Sequence, residues 1–138
     1  MSKQIYVNLP VSDLARSTSF YEMLGFDREP NFTDENASCL VWSDDIYIML
    51  LRREFFRTFI GDKEVIDNQR LCGVTIALTL NSKAAVRKFV DNASNYGGNS
   101  YKIDNGVSED MMFGYAVLDP DGNLLEPVWM SADFVPNQ

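Results

Sequence analysis

Apolar and polar side chains alternate from Ile5: Ile5, Val7 and Leu9 are separated by Tyr6 and Asn8. A period of two predicts a half-buried strand, with Tyr6 and Asn8 on the face opposite its apolar side. Pro10 lacks a backbone donor and predicts the end of that ladder. Asp13 is a predicted N-cap for a helix whose apolar positions are Leu14, Phe20, Tyr21 and Leu24, with small Ser17 among them. Gly25 supplies the left-handed residue at which such a helix stops.

The pattern then predicts an extended piece from Phe26 to Asn31, a polar turn at Thr33–Asn36, a strand over Ala37–Trp42 and a turn at Ser43–Asp45. Ile46–Leu51 is a strongly apolar strand. Phe55, Phe56 and Phe59 fall at helical spacing in Arg52–Ile60, so this segment reads as a short helix. Its three rings either roof a cleft or bury in a core or against a partner chain. Gly61–Gln69 is polar and without period, as a linker is.

From Gly73 the opening pattern returns. Val74, Ile76, Leu78 and Leu80 alternate with Thr75, Ala77 and Thr79. Ser82 caps a helix with Ala85, Val86, Phe89, Val90 and Ala93 inward, stopped by Gly97-Gly98. At one offset Val7 meets Ile76, Leu9 meets Leu78, Val11 meets Leu80, Asp13 meets Ser82, Phe20 meets Phe89 and Tyr21 meets Val90. Two strand-helix units in one phase predict an internal duplication. Extended pieces follow at Asn99–Ile103 and Met111–Leu118, then the turn Asp119-Pro120-Asp121-Gly122 and a last strand, Leu124–Trp129. Pro127 implies that this strand is an edge or is locally kinked. The expected architecture is α+β: two βαβββ modules, residues 3–60 and 73–131, joined by a linker over 61–72.

Composition narrows the chemistry. The chain has 138 residues, nine Phe, six Tyr and two Trp, enough for a packed interior. A net charge of −8 argues against nucleic acid, whose phosphates need a basic patch. It suits solubility or attraction of a cationic ligand. Cys39 and Cys72 stand in apolar or strand-like contexts without a second cysteine at metal spacing. They read as two buried free thiols and suggest a reducing cytoplasm. No stretch approaches membrane-spanning length, and MSKQIYVNLP lacks a signal-peptide core. With no His in the chain, a Ser-His-Asp triad is impossible. No CxxC and no phosphate-cradling glycine loop occurs.

The stretch IYVNLPVSDLARSTSFYEMLGF, with a second βαβββ pattern ending in DPDGNLLEPVW, resembles the glyoxalase, bleomycin-resistance protein and extradiol dioxygenase (vicinal oxygen chelate) superfamily. Bacterial glyoxalase-family sequences of the lactoylglutathione-lyase type are especially similar, and the resemblance spans essentially the whole chain. It implies paired βαβββ modules whose sheets curl into a cleft or half-barrel, and often a homodimer. Metal-using members place His, Gln or Glu on cleft faces of the first and fourth strand of each module. Residue by residue, those positions fall on Tyr6, five before Val11, and on Met49 in the apolar strand. In the second half they fall on Thr75 and on Glu126, four after Gly122. Only Glu126 is a good ligand, so neither a tightly held metal nor another cofactor is expected.

The expected site therefore comprises Tyr6, Asn8, Met49, Thr75, Thr79 and Glu126. Glu126 is the candidate general base or ligand-binding carboxylate, Tyr6 a phenol donor or cavity filler, and Asn8 an orienting amide. Met49, Thr75 and Thr79 serve as lining. Three functions fit: a small-molecule binder that sequesters its ligand without metal, a glyoxalase-type lyase or isomerase using Glu126, and an interaction protein with a vestigial cleft. The layout favours a ligand with a flat apolar body and a cationic or hydroxyl-bearing end.

Overall fold

The computed structural model describes residues 2–134. The chain divides between Leu71 and Cys72 into two compact units. In the first, β1 (Ile5–Val11) leads into α1 (Leu14–Met23), followed by β2 (Asp27–Arg28), a 3-10 turn at Pro30–Phe32, β3 (Ala37–Ser43), β4 (Ile46–Arg52) and α2 (Arg53–Arg57). The sheet order is β1-β4-β3-β2. β1 runs parallel to β4, and the other pairs are antiparallel.

The alternation decides what is buried. Leu9, Val11, Leu40, Ile48 and Leu50 share the core of this unit with Phe20 and Tyr21 from α1. Removing such side chains from water stabilises by about 1.5–3 kcal/mol each. Asp13 caps α1, accepting a hydrogen bond from the Arg16 amide at 3.1 Å. Tyr21 meets Phe26 edge-on with centroids 5.4 Å apart, and Phe26 packs on Trp42 at 5.0 Å.

Two expectations are corrected here. Pro10 does not end the ladder: β1 continues to Val11, with Pro10 beside Leu51. β1 is the outermost strand of its sheet, where a missing N–H costs little. The aromatic helix is also shorter than the Arg52–Ile60 segment. Arg52 belongs to β4, and α2 ends at Arg57, where the Thr58 hydroxyl donates to the Phe55 carbonyl at 2.6 Å. A hydroxyl bonding backward in this way competes with helix propagation.

The second unit repeats the plan with β5 (Thr75–Thr79), α3 (Lys83–Asn95), β6 (Asn99–Lys102), β7 (Met112–Leu118) and β8 (Leu124–Met130). Its order, β5-β8-β7-β6, matches that of the first sheet, and β5 is parallel to β8 as β1 is to β4. Leu78, Val86, Phe89, Ala93, Val117 and Leu125 are buried together in its core. Ser82 caps α3 through the Ala85 amide at 3.0 Å.

β8 is an inner strand, so Pro127 does not mark an edge. Its ring is fully buried, and the β7 register resumes on either side of it, at Gly114↔Val128 and Val117↔Leu125. The local break in the ladder accommodates the missing donor.

The turn entering β8 is built on a buried carboxylate. Asp119 accepts the Asp121 and Asn123 amides on Oδ1, both at 2.9 Å, and the Asn123 side-chain amide on Oδ2 at 2.8 Å. Gly122 adopts φ 89, which a residue with a Cβ resists. The acidic motif that closes the chain's second repeat is thus a self-bonded turn.

Candidate ligand cleft

In the first unit, α1 covers one face of the sheet. The other face carries Tyr6 and Asn8 on β1, directly beside Tyr47 and Met49 on β4. Cys39 on β3 flanks Met49 from the other side, and Ala37 flanks Leu51. This face opens into a cavity of about 520 Å³, whose walls include Tyr6, Asn8, Met49, Leu51, Phe55 and Phe59.

α2 brings Phe55, and the turn that follows it brings Phe59. Phe55 and Phe59 meet edge-to-face with centroids 5.2 Å apart and planes at 89°. Of the alternatives open for this segment, the structure places these two rings over the cleft. Phe59 keeps 57% of its surface exposed.

A third wall comes from the loop between β2 and β3, which contributes Phe32, Thr33 and Asp34. The loop is tied down through the side chains of Thr33 and Asp34. The Thr33 hydroxyl donates to the Glu29 carbonyl at 2.8 Å and accepts the Cys39 amide at 3.1 Å. Asp34 accepts the amides of Asn36 and Ala37 on one oxygen, at 2.8 and 3.1 Å. Sequence reasoning missed this wall, because a polar turn carries no period to say which way it folds. The Asx pattern of Asp34 was its one available signal.

Asn8 is the distinctive polar group of the cleft. It is exposed among Met49, Leu51 and aromatic rings, and its side-chain amide makes no hydrogen bond to a described residue. An amide left open in an apolar cavity is a ready partner for a ligand's polar end. Tyr6, Asn8 and Met49 thus line one cavity, whose walls do not include Thr75, Thr79 or Glu126.

The second unit places Thr75, Ala77 and Thr79 on one sheet face, beside Leu124, Glu126 and Val128 of β8. Both threonines are exposed. Glu126 is half-buried next to Ala77, whose methyl group offers it no hydrogen bond, and burial pushes its carboxyl above the usual glutamate range.

The two cysteines differ. Cys39 is buried, and burial first, then the Glu29 carboxylate, pushes its thiol up. Cys72 is exposed, contrary to expectation: it precedes β5 in a segment without a sheet or helix to cover it.

The positions that the resemblance assigns to metal ligands carry the Tyr6 phenol, the Met49 thioether, the Thr75 hydroxyl and the Glu126 carboxylate, in a chain without histidine. Among the described residues no three His, Cys, Asp or Glu side chains cluster closely enough to hold an ion. That donor set does not fit zinc, nickel or iron. Nor, among the described residues, is any helix long and apolar enough to cross a membrane.

The architecture defines a paired-module α+β protein with an aromatic-walled cleft. The chain belongs to the Glyoxalase/Bleomycin resistance protein/Dioxygenase superfamily, whose profile matches residues 3–126. No curated protein matches it. Among solved structures, a hypothetical protein from S. aureus is 22% identical with a TM-score of 0.75, covering 94% of this chain and 95% of its own. A glyoxalase/bleomycin resistance protein/dioxygenase family enzyme from Burkholderia phytofirmans PsJN is 18% identical with a TM-score of 0.74, covering 94% of this chain and 100% of its own. A bleomycin-binding protein complexed with bleomycin is 20% identical with a TM-score of 0.62, covering 94% and 100%. At these identities the likeness is one of fold.

Proposed function

We propose that the chain binds a small, largely apolar molecule in the cleft of its first module, without a metal, and acts by sequestering it. The observation that carries this reading is the 520 Å³ cavity itself, walled by aromatic and thioether side chains with the Asn8 amide open inside it. Binding sites for small molecules have this make-up: apolar walls and a few placed polar groups. The bleomycin-binding relative supports the class of activity, since it holds a small molecule on the same fold.

A second reading, catalysis of the glyoxalase type, is favoured by one observation. Glu126 carries a carboxyl raised by burial, as a general base working near neutral pH requires. Thr75 and Thr79 lie on the same sheet face.

Calorimetric titration with bleomycin and a panel of aromatic amines, beside an assay for consumption of the methylglyoxal–glutathione hemithioacetal, separates the two. Binding without turnover, in protein free of nickel, zinc and iron by elemental analysis, is the expected result. Turnover that Glu126→Gln abolishes would establish the enzyme instead. A stoichiometric metal in untagged protein would overturn the metal-independent reading.

We also propose a cytoplasmic homodimer. Ile5, Leu71 and Val74 leave 54%, 61% and 61% of their surfaces exposed, which favours a partner surface. The free thiols of Cys39 and Cys72 suit a reducing compartment. Light scattering showing a monomer at micromolar concentration would remove the dimer.

A further inference from the structure

Tyr6 does not stand alone at the cleft. Its ring lies against that of Tyr47 with centroids 4.5 Å apart and planes within 8° of parallel. Tyr47 itself is not part of the cavity wall. It is fixed from behind: its hydroxyl donates to the Asp44 carbonyl at 2.7 Å and accepts from the Gln4 side-chain amide at 3.2 Å. The Gln4 amide also reaches the Asp44 carbonyl, at 3.4 Å. The β1–β4 register puts the two tyrosines side by side, and the turn between β3 and β4 supplies the anchor.

One face of the Tyr6 ring is therefore occupied, and only its other face and its edge remain to meet a ligand. Tyr6 nevertheless leaves 46% of its surface exposed and lines the same cavity as the Phe55–Phe59 pair. An exposed tyrosine on an outermost strand would ordinarily sample several rotamers. Here a second ring and a hydrogen-bonded clip fix its plane before any ligand arrives.

Resting on the binding reading above, we propose that the cleft selects planar aromatic molecules by stacking them on Tyr6, and that Tyr47 and Gln4 are positioning residues for that platform. A flat ring extends the existing parallel pair at the spacing that aromatic rings favour. A globular molecule of equal charge gains nothing from a flat surface. Fixing the platform in advance removes the ordering cost that binding otherwise carries.

The test compares two monocations, planar proflavine and globular adamantan-1-amine, by calorimetry. The intact chain is titrated beside Tyr6→Leu, Tyr47→Leu, Tyr47→Phe and the surface variant Gln4→Ala. The intact chain is expected to prefer proflavine, and Tyr6→Leu to erase that preference. Tyr47→Leu should weaken proflavine roughly three- to tenfold, the scale of one side chain's ordering, with adamantan-1-amine unchanged. Tyr47→Phe, which keeps the ring but not the clip, should recover part of the loss. Gln4→Ala should show a smaller loss of the same kind in a variant with no core side chain removed. Equal binding of both amines, or proflavine affinity indifferent to Tyr47→Leu and Gln4→Ala, overturns the platform and leaves the binding reading intact. Binding of neither amine overturns the platform, and if bleomycin also fails to bind, the cleft reading falls with it.

Discussion

Asp13 and Ser82 do the same work at the same step of the two modules. Each accepts a hydrogen bond from the amide three residues on, at 3.1 Å from Arg16 and 3.0 Å from Ala85. One cap is a carboxylate and the other a hydroxyl, yet both close the first turn of the helix that covers a sheet. Asp13→Ala and Ser82→Ala should each cost about 1 kcal/mol of stability, the usual loss for an N-cap. Urea denaturation of the two variants checks it. A midpoint unmoved by either would show that the flanking strand alone sets where that helix begins.

The capping pair was legible in the sequence because a cap is a local device followed by a periodic run. The same holds for the strands, whose alternation in Ile5–Leu9 and Val74–Leu80 places Tyr6, Asn8, Thr75 and Thr79 on the faces observed. The prolines were harder to read for the opposite reason, Pro10 standing as a strand end and Pro127 between an edge and a local kink. Pro10 and Pro127 each lack one donor, but whether that donor has a partner depends on which strand lies alongside, and strand order is a tertiary fact. The cleft wall of Thr33 and Asp34 was illegible on similar grounds, since loop closure is decided by distant residues such as Cys39. Phe55 and Phe59 were visible as a helical pair, while their direction depended on where β4 delivers α2.

Asp119 presents the strongest purely structural claim. It is only 3% exposed, and so is Asn123, which bonds to it through both main chain and side chain. Replacing Asp119 by Ala strands the amides of Asp121 and Asn123 and the Asn123 side chain. The expected cost is about 3 kcal/mol, above either cap variant, because buried donors lose an ionised acceptor. Thermal unfolding orders the three variants. A smaller loss for Asp119→Ala than for Asp13→Ala would mean that water replaces the carboxylate in the turn.

The two thiols should separate kinetically. Cys72 is exposed and should react with Ellman's reagent at once, whereas Cys39 has no exposed surface and a thiol held in its unreactive protonated form by burial and Glu29. One fast equivalent that Cys72→Ser removes, with Cys39 released only by denaturant, is the expected trace. Two fast equivalents would mean that the β3 face of the cleft opens readily, and would count against a preformed cavity.

Glu126 is where stability and function pull apart. Burial disfavours its charged form, so its carboxyl in the folded chain titrates above the usual glutamate range. The sign follows from that gap: the folded state holds the proton to higher pH than the unfolded chain does. Below the unfolded value the residue is neutral in both states and costs nothing. As the pH rises through the folded value, the fold must carry an ionised, partly buried carboxylate, and stability falls until that titration is complete. Glu126→Gln keeps the shape and removes the titration. At pH 7 the variant should therefore unfold at higher urea than the parent chain, and at pH 4 the difference should narrow towards zero. The same substitution should weaken a cationic ligand held on the β5–β8 face by about 1–3 kcal/mol, the scale of a charge-assisted hydrogen bond. A variant more stable at pH 7 yet poorer at binding marks a carboxylate kept for its ligand. More stable with binding unchanged, it marks a carboxylate without a ligand, and Glu126 leaves the site. A midpoint difference that ignores pH would show that water reaches the carboxyl freely, and the raised titration would be wrong.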